Sequence, residues 1–274
     1  MRADQSRILL TGASGGIGRA VAHELARFGA TLMLVGRSAS RLEAQARALG
    51  PSVTWQACDL GDQSALPALA TAASAWRANV VVHGAGVPAF GRLEVIDAAQ
   101  MQRVLALNLM APMLLTQLLL PHLRLQSEAQ VLYIGSALGR LGLPGYSVYS
   151  ASKFGLRGFA EALRRELADS AVRVKYLGPR STRTGFNEAA VDDYNRATGT
   201  AMDDPEVVAR ALRALLEGKA AEAFIGHPEK LAVRLNGVVP SWLDGAFAKH
   251  RAHLSSAAAS SSRHPDTALP KAAP

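Results

Sequence analysis

The chain has 274 residues, 49% of them hydrophobic, with 24 glycines and a formal net charge of +8, long enough for a large domain with a substantial core. A single cysteine, Cys58, excludes an internal disulfide framework and a cysteine-built zinc site, and fits a reducing cytosol. The basic balance, with a pI of about 10.1, is spread along the chain without a block of like charge, which argues for a generally basic surface and against a nucleic-acid partner.

Met1 to Arg7 lack the apolar run of a secretory leader, and a cytoplasmic location is expected. Arg7-Ile8-Leu9-Leu10-Thr11 reads as a short buried strand. Next comes Gly12-Ala13-Ser14-Gly15-Gly16-Ile17-Gly18 and a helical pattern from Ala20. Strand, glycine turn and helix form a phosphate-binding device: glycines allow close backbone approach, and free N–H groups at the helix start attract a pyrophosphate. Counted over Gly12, Gly16 and Gly18, the first loop is longer than in Gly-x-Gly-x-x-Gly. Thr31 to Arg37 is the second strand. Its tip, Gly36-Arg37-Ser38, lacks the acidic residue that would bind the ribose hydroxyls of NAD. Arg37, helped by Arg41, suits a 2′-phosphate instead. NADP is the expected cofactor, NAD the less favoured one; the plain alternative is an arginine solvated at a loop.

Val53 to Ala57 is the third strand, leading into Cys58-Asp59-Leu60. Two compatible roles are open for Asp59: accepting from an adenine amino group, or capping the following helix near Asp62 to Ser74. Asn79 to His83 is the fourth strand, and the small residues of Gly84-Ala85-Gly86 leave room for a ribose or nicotinamide. His83 is read as a buried, hydrogen-bonded histidine, since no second ligand sits at metal spacing; no metal site is expected. Val104 to Leu120 is apolar but interrupted by Asn108, Pro112, Thr116 and Gln117. It is read as a buried pair of helices, Asp97 to Leu109 and Pro112 to Leu125, with no integral membrane segment. Asn108 needs hydrogen-bond partners in that setting and so has a structural or catalytic task.

Ala129 to Ser136 is the fifth strand, with Ser136 at the carboxyl end, where open α/β sheets bind ligands. The loop that follows carries Leu138, Leu141, Leu143, Pro144 and Tyr146 and is expected to line an apolar pocket. A long helix from Tyr149 to Leu167 places Tyr149 and Lys153 on one face, one turn apart. A free tyrosine titrates near pH 10. A lysine beside it favours the phenolate and lowers that pKa, giving an acid or base for carbonyl chemistry. Alone, such a pair is an ordinary helix face. Val172 to Leu177 is the sixth strand, ending in Gly178-Pro179-Arg180. From Asn187 the chain is polar, and a substrate-covering segment is expected over about 187–217, including a helix from Pro205 to Glu217. Glu222 to Gly226 is the last strand. Residues 230–250 read as a cap on the pocket or an oligomer contact, favoured over a membrane-surface segment because Gly237 and Pro240 interrupt them. A single domain over 1–252 and a disordered, low-complexity tail over 253–274 complete the expected organisation.

In this order and spacing, Thr11 to Gly18, Asp59-Leu60, Gly84-Ala85-Gly86, Asn108, Ser136, Tyr149-x-x-x-Lys153 and Pro179 to Thr184 resemble the common type of short-chain dehydrogenase/reductase, over about residues 6–250. The resemblance implies a Rossmann-like α/β fold, with a doubly wound parallel sheet of about seven strands and helices on both faces. It implies NAD(P)-dependent interconversion of alcohols and carbonyls by a tetrad. Tyr149 would be the acid/base and Ser136 would polarise the carbonyl. Lys153 would lower the tyrosine pKa and bind the nicotinamide ribose, and Asn108 would help hold a water that relays protons to Lys153. Cofactor contacts are implied at Gly12, Ser14, Gly16, Ile17, Gly18, Arg37, Asp59, Leu60, Ala85, Gly86, Tyr149, Lys153, Pro179 and Thr184, the last at the carboxamide position. Dimers or tetramers are common in the family, so a homo-oligomer is expected by analogy. The sequence departs from the family at His83, where asparagine is usual, and at Arg180, where a glycine usually follows the proline. The expected activity is that of an NADP(H)-dependent carbonyl reductase or alcohol dehydrogenase with a fairly apolar small-molecule substrate. The alternatives are a catalytically silent NADP-binding sensor or scaffold, against which the intact tetrad argues, and a membrane-peripheral, lipid-linked reductase.

Overall fold

Apolar runs bounded by glycine or polar turns form seven strands in the computed structural model, which describes residues 1–186, 189–226 and 235–261. They are β1 (Arg7–Thr11), β2 (Thr31–Gly36), β3 (Val53–Ala57), β4 (Val80–His83), β5 (Ala129–Ile134), β6 (Val172–Gly178) and β7 (Glu222–Phe224). All pair in parallel in the order β3-β2-β1-β4-β5-β6-β7, which is the doubly wound sheet expected. Chain direction across the sheet reverses between β1 and β4, and a crevice opens there at the strands' carboxyl ends.

Helices α1 (Gly16–Arg27), α2 (Ala39–Leu49), α3 (Leu66–Ala75), α4 (Ala98–Leu105), α5 (Ala111–Arg124), α6 (Ser147–Glu166), α7 (Ala189–Thr198) and α8 (Pro205–Glu217) follow in chain order, and α9 (Ala248–Ser261) comes last. Leu9, Val81, Val131 and Tyr133 join one core with Leu69, Leu115, Leu119 and Leu156. Ile8, Leu10, Leu32, Leu34 and Val82 join another with Val21, Leu25, Leu42, Leu212 and Leu216. A sheet covered on both faces needs continuous apolar strands rather than alternating ones, and the central strands supply them.

The expected pair of helices is one continuous rod from Ala98 to Arg124. A π turn, Ala106–Met110, joins α4 to α5, and the Ala111 N–H bonds to Ala106 O five residues back. Pro112 has no N–H to give, so the wider turn absorbs the lost bond without a break. The rod is long and apolar enough to cross a membrane by composition alone. Here Val104, Asn108, Ala111, Leu115, Leu119 and Leu123 bury one side of it in the domain.

Two further boundaries differ from expectation. The body of α8 packs into the core, with Val208, Leu212 and Leu216 fully buried against the sheet and α1 because the helix is amphipathic, and only its first turn, at Pro205 and Glu206, lines a groove. Its carboxyl end is closed by Lys175 of β6, whose Nζ donates to Leu215 O (2.7 Å), Leu216 O (3.2 Å) and Gly218 O (2.8 Å). Those carbonyls have no helical partner and sit at the negative end of the dipole, so a buried cation is satisfied there. The tail expected from residue 253 begins inside α9, whose Leu254 is buried against Gly145. Residues 227–234 and 262–274, parts of the expected cap and tail, lie outside the described residues, as do Asn187 and Glu188.

Candidate active site

Gly12 ends β1 at φ +70°, and a Cβ there would lie 2.6 Å from Gly84 O and Ala85 N. A Cβ on Gly16 would lie 2.6 Å from Thr184 Cβ, and one on Gly18 would overlap the Gly12 carbonyl. Only glycine lets the ends of β1 and β4 and the Thr184 loop converge over the start of α1. Gly15, the residue before α1, makes no side-chain cap, which leaves the first helical N–H groups for a ligand. Thr11 Oγ1 accepts from Gly84 N–H (3.1 Å) and Ala85 N–H (3.4 Å) and so fastens the two strand ends. Beside Gly16 a groove of about 550 Å³ runs between Arg19, Arg183, Thr184 and Glu206.

At the tip of β2 both Arg37 and Arg41 are exposed, and Ser14 Oγ lies 3.1 Å from where a Gly36 Cβ would be. Asp59 accepts from Gly61 N–H (3.0 Å), while Asp62 accepts from Ser64 N–H (2.9 Å). Of the two roles open for Asp59, helix capping therefore belongs to Asp62, which directly precedes the helical turn Gln63–Ala65. Leu60 is buried in the core. An uncapped helix start, a glycine cradle and exposed cations fit an anionic dinucleotide.

Ser136 leaves β5 fully extended, with φ −163° and ψ 159°, and its Oγ accepts from Leu138 N–H (3.1 Å). That leaves its own proton to act toward the Tyr149 phenol, whose pKa the Ser136 hydroxyl lowers. Tyr149 and Lys153 lie one turn apart on α6, with Lys153 Nζ 5.6 Å from the Tyr149 ring centre. Burial pulls Lys153 down to about 8 and pushes Tyr149 up to about 12, which the Ser136 hydrogen bond only partly offsets. The expected lowering of Tyr149 is thus reversed: desolvation of the phenol outweighs an ammonium that lies over the ring.

The π turn aims Asn108 at the loop after β4. Its Oδ1 accepts from Val87 N–H (2.8 Å), and its Nδ2 donates to Val87 O (3.0 Å) and Ser152 Oγ (3.2 Å). Ser152 Oγ in turn donates to Tyr149 O (2.7 Å). Both amide hydrogens are used, so this side chain ties the β4 loop to the first turn of α6. A Cβ on Gly86 would lie 3.1 Å from Asn108 Oδ1 and 3.7 Å from Lys153 Nζ; its absence leaves space beside both. Ser152 carried no sequence signal, because a serine inside a helix is ordinary.

His83 Nε2 is 2.9 Å from Thr116 Oγ1, which is 2.8 Å from the Tyr133 hydroxyl. The imidazole stacks on Tyr133, with ring centres 4.9 Å apart. Burial holds its pKa at about 3, so His83 is the buried, satisfied histidine read from the sequence. Arg180, the other departure, forms a two-pronged ion pair with Asp203 (2.7 and 3.0 Å). Its loop is also held by Asp203 N–H to Ser181 O (2.9 Å) and Arg183 N–H to Asp203 O (2.8 Å). Pro179 O accepts from Ala137 N–H (2.7 Å).

Aromatic rings surround Tyr149. Tyr146 and Phe186 each stand 6.3 Å from it, and Phe90 lies 4.9 Å from both Tyr146 and Tyr194. The Tyr194 hydroxyl of α7 is 2.6 Å from His250 Nδ1 of α9. The wall is therefore more aromatic than the leucine-rich loop implied; Leu141 turns away into a small cluster with Ala137, Leu143, Phe224 and Phe247.

Over residues 6–195 the chain matches the family described as short chain dehydrogenase. It is 33% identical over 227 residues to an uncharacterized oxidoreductase, DltE, of Bacillus subtilis, covering 80% of this chain and 88% of that protein. Identity to the ketoacyl reductase HetN of Nostoc sp. is 32% over 252 residues, or 88% and 87% of the two chains. A metagenomic short-chain oxidoreductase solved in complex with NADP superposes with a TM-score of 0.69 at 29% identity, over 82% of this chain and 97% of that one. An alcohol dehydrogenase of Thermococcus sibiricus complexed with 5-hydroxy-NADP gives 0.71 at 25% identity, over 80% and 95%. Sequence likeness and sheet order agree over the segments that carry the glycine turn, Ser136 and Tyr149, and the chain belongs to the short-chain dehydrogenase family of oxidoreductases.

Proposed function

We propose that this chain is an NADP(H)-dependent carbonyl reductase or alcohol dehydrogenase acting on an apolar substrate, with Tyr149 as the general acid/base. The observation that carries the reading is the placement of the Tyr149 phenol one helical turn from Lys153, whose Nζ lies 5.6 Å from the ring centre, at the carboxyl end of the sheet where the Ser136 hydroxyl acts on the phenol to lower its pKa. A bound nicotinamide supplies or accepts the hydride. At neutral pH Tyr149 holds its proton, ready to pass it to a carbonyl oxygen in reduction. The Ser136 proton polarises the same oxygen. Lys153, mostly charged below pH 8, offsets the phenolate that forms as the proton leaves. Asn108 and Ser152 keep the β4 loop and α6 in register during that transfer. Aromatic rings around Tyr149 support an apolar substrate, and the likeness to a ketoacyl reductase supports a carbonyl. Exposed Arg37 and Arg41, just past the Gly36 tip of β2 that Ser14 approaches, with an NADP-bound relative, support NADP.

The test is NAD(P)H oxidation against a panel of ketones and aldehydes. Tyr149→Phe is expected to lose about a hundredfold or more in kcat. Arg37→Ala is expected to lose about tenfold in preference for NADPH over NADH, as befits one charge-assisted contact. Equal rates for wild type and Tyr149→Phe would sink the mechanism, and an unchanged cofactor preference would remove Arg37 from it.

A further inference from the structure

Tyr176 stands in β6, in register with Tyr133 of β5, and is fully buried. Its ring lies across β5 at Gly135: a Cβ there would overlap the ring, and a Cβ on Gly139 would overlap the hydroxyl. The backbone explains the crossing. Gly135 N–H and Ala137 N–H bond to Leu177 O (2.8 Å) and Pro179 O (2.7 Å), on the β6 side. Groups along a strand alternate sides, so the Ser136 N–H faces the other way, toward β4, while its C=O accepts from Gly139 N–H (3.0 Å) in the turn that follows. β4 has already ended at His83, opposite Tyr133. No strand is there to receive Ser136. The Tyr176 hydroxyl takes that place, accepting from Ser136 N–H (3.1 Å) and donating to Ser136 O (3.1 Å). Full extension of Ser136 points both groups to one side, within reach of one oxygen. The same packing reaches α6, since the Gly139 Cβ position that meets the hydroxyl lies 2.9 Å from Lys153 O.

We propose that Tyr176 is a positioning residue of this active site: its hydroxyl substitutes for a missing strand, fixes the Ser136 backbone and so holds the Ser136 side chain against Tyr149. The inference rests on the functional reading of Ser136 and Tyr149 given above. Filling space does not account for the hydroxyl. Phenylalanine would occupy the same slot between Gly135 and Gly139 but would leave the Ser136 N–H without its partner, and a buried N–H without one is costly. Burial drives the Tyr176 pKa upward, so the group stays a neutral donor and acceptor wherever the enzyme works.

Tyr176→Phe is the test, with Tyr133→Phe as control: Tyr133 is as deeply buried and sits in the same register, but its hydroxyl meets Thr116. Three quantities are compared: amide hydrogen exchange over residues 135–139, NADPH affinity, and kcat and KM for a carbonyl that the wild type reduces. In Tyr176→Phe, exchange over 135–139 is expected to rise about tenfold and kcat to fall about tenfold or more, with NADPH affinity and KM within about twofold. Tyr133→Phe is expected to lower Tm and leave kcat within about twofold. Wild-type exchange in Tyr176→Phe overturns the inference, whatever the substrate. Faster exchange with unchanged kcat also overturns it, because the hydroxyl then only stabilises the fold. A wild type that reduces no carbonyl counts against the proposed function, and the exchange comparison then decides on its own whether Tyr176 holds Ser136.

Discussion

At the phosphate turn, backbone meets backbone. The Gly12 Cα faces Gly84 and Ala85 with no room for a side chain, and Thr11 closes the gap with a hydroxyl. The segment from Arg180 to Thr200 is held in another way. Besides two backbone bonds between Asp203 and the 181–183 stretch, the Arg180–Asp203 ion pair, Tyr194 against Phe90 and the Tyr194–His250 hydrogen bond secure it through long side chains. The first arrangement has a single solution, because bonded backbone cannot give way. In the second, the side-chain contacts can be released by rotamer changes. A rigid cradle beside a segment held by releasable side-chain contacts is the division of labour that a site needs if it is to hold a cofactor and still exchange a substrate.

The strongest way to break this comparison is Gly12→Val. It imposes a positive φ on a β-branched residue and drives a Cβ into backbone; a loss of about 3 kcal/mol or more is expected in urea unfolding, with NADPH binding lost. A wild-type midpoint would show that the cradle yields after all.

Arg180→Ala tests the second segment. The two partners are 16% and 12% exposed, so leaving Asp203 alone is expected to cost about 2 kcal/mol, less than for a fully buried pair. The cost should be local: proteolysis between residues 180 and 203 should accelerate more than the global midpoint falls. Equal changes in both would make this segment part of the rigid half.

A smaller effect sharpens the rigid half through His83. Its folded pKa of about 3 lies below the unfolded value of about 6.5. As pH falls from 6.5 toward 3, the unfolded state takes the proton first. Stability is therefore essentially full above pH 6.5 and declines below it, by about 1 kcal/mol over the first pH unit and toward about 1.4 kcal/mol per unit beyond. His83→Asn should be less stable at pH 7 but show a flatter decline between pH 6.5 and 5. An identical slope would place the acid sensitivity elsewhere.

Much of the site was legible from local rules. Gly12, Gly16 and Gly18 were recognisable because a tight turn between a strand and a helix demands them, and the same places are where a Cβ meets other atoms. Asn108 stood out as an amide in an apolar run, and the structure supplies its partners in Val87 and Ser152. The continuous rod from Ala98 to Arg124 was not legible, since Pro112 looked like a break until the π turn accommodated it. Asp59 and Asp62 could not be ranked as helix caps without knowing where the helical turn begins.

Sequence alone determined the strands, the glycine turn and the pairing of Tyr149 with Lys153 on one helix face, because these depend on neighbours a few residues away. Only the tertiary structure decided how those groups behave. The Tyr149 phenol is pushed to about 12 and Lys153 pulled to about 8 by burial, which no spacing encodes. The hydroxyl of Tyr176 reaches Ser136 from 40 residues away along the chain, at a point beyond the end of β4. Charge state and orientation depend on what is packed around a group, and that is settled when distant segments meet.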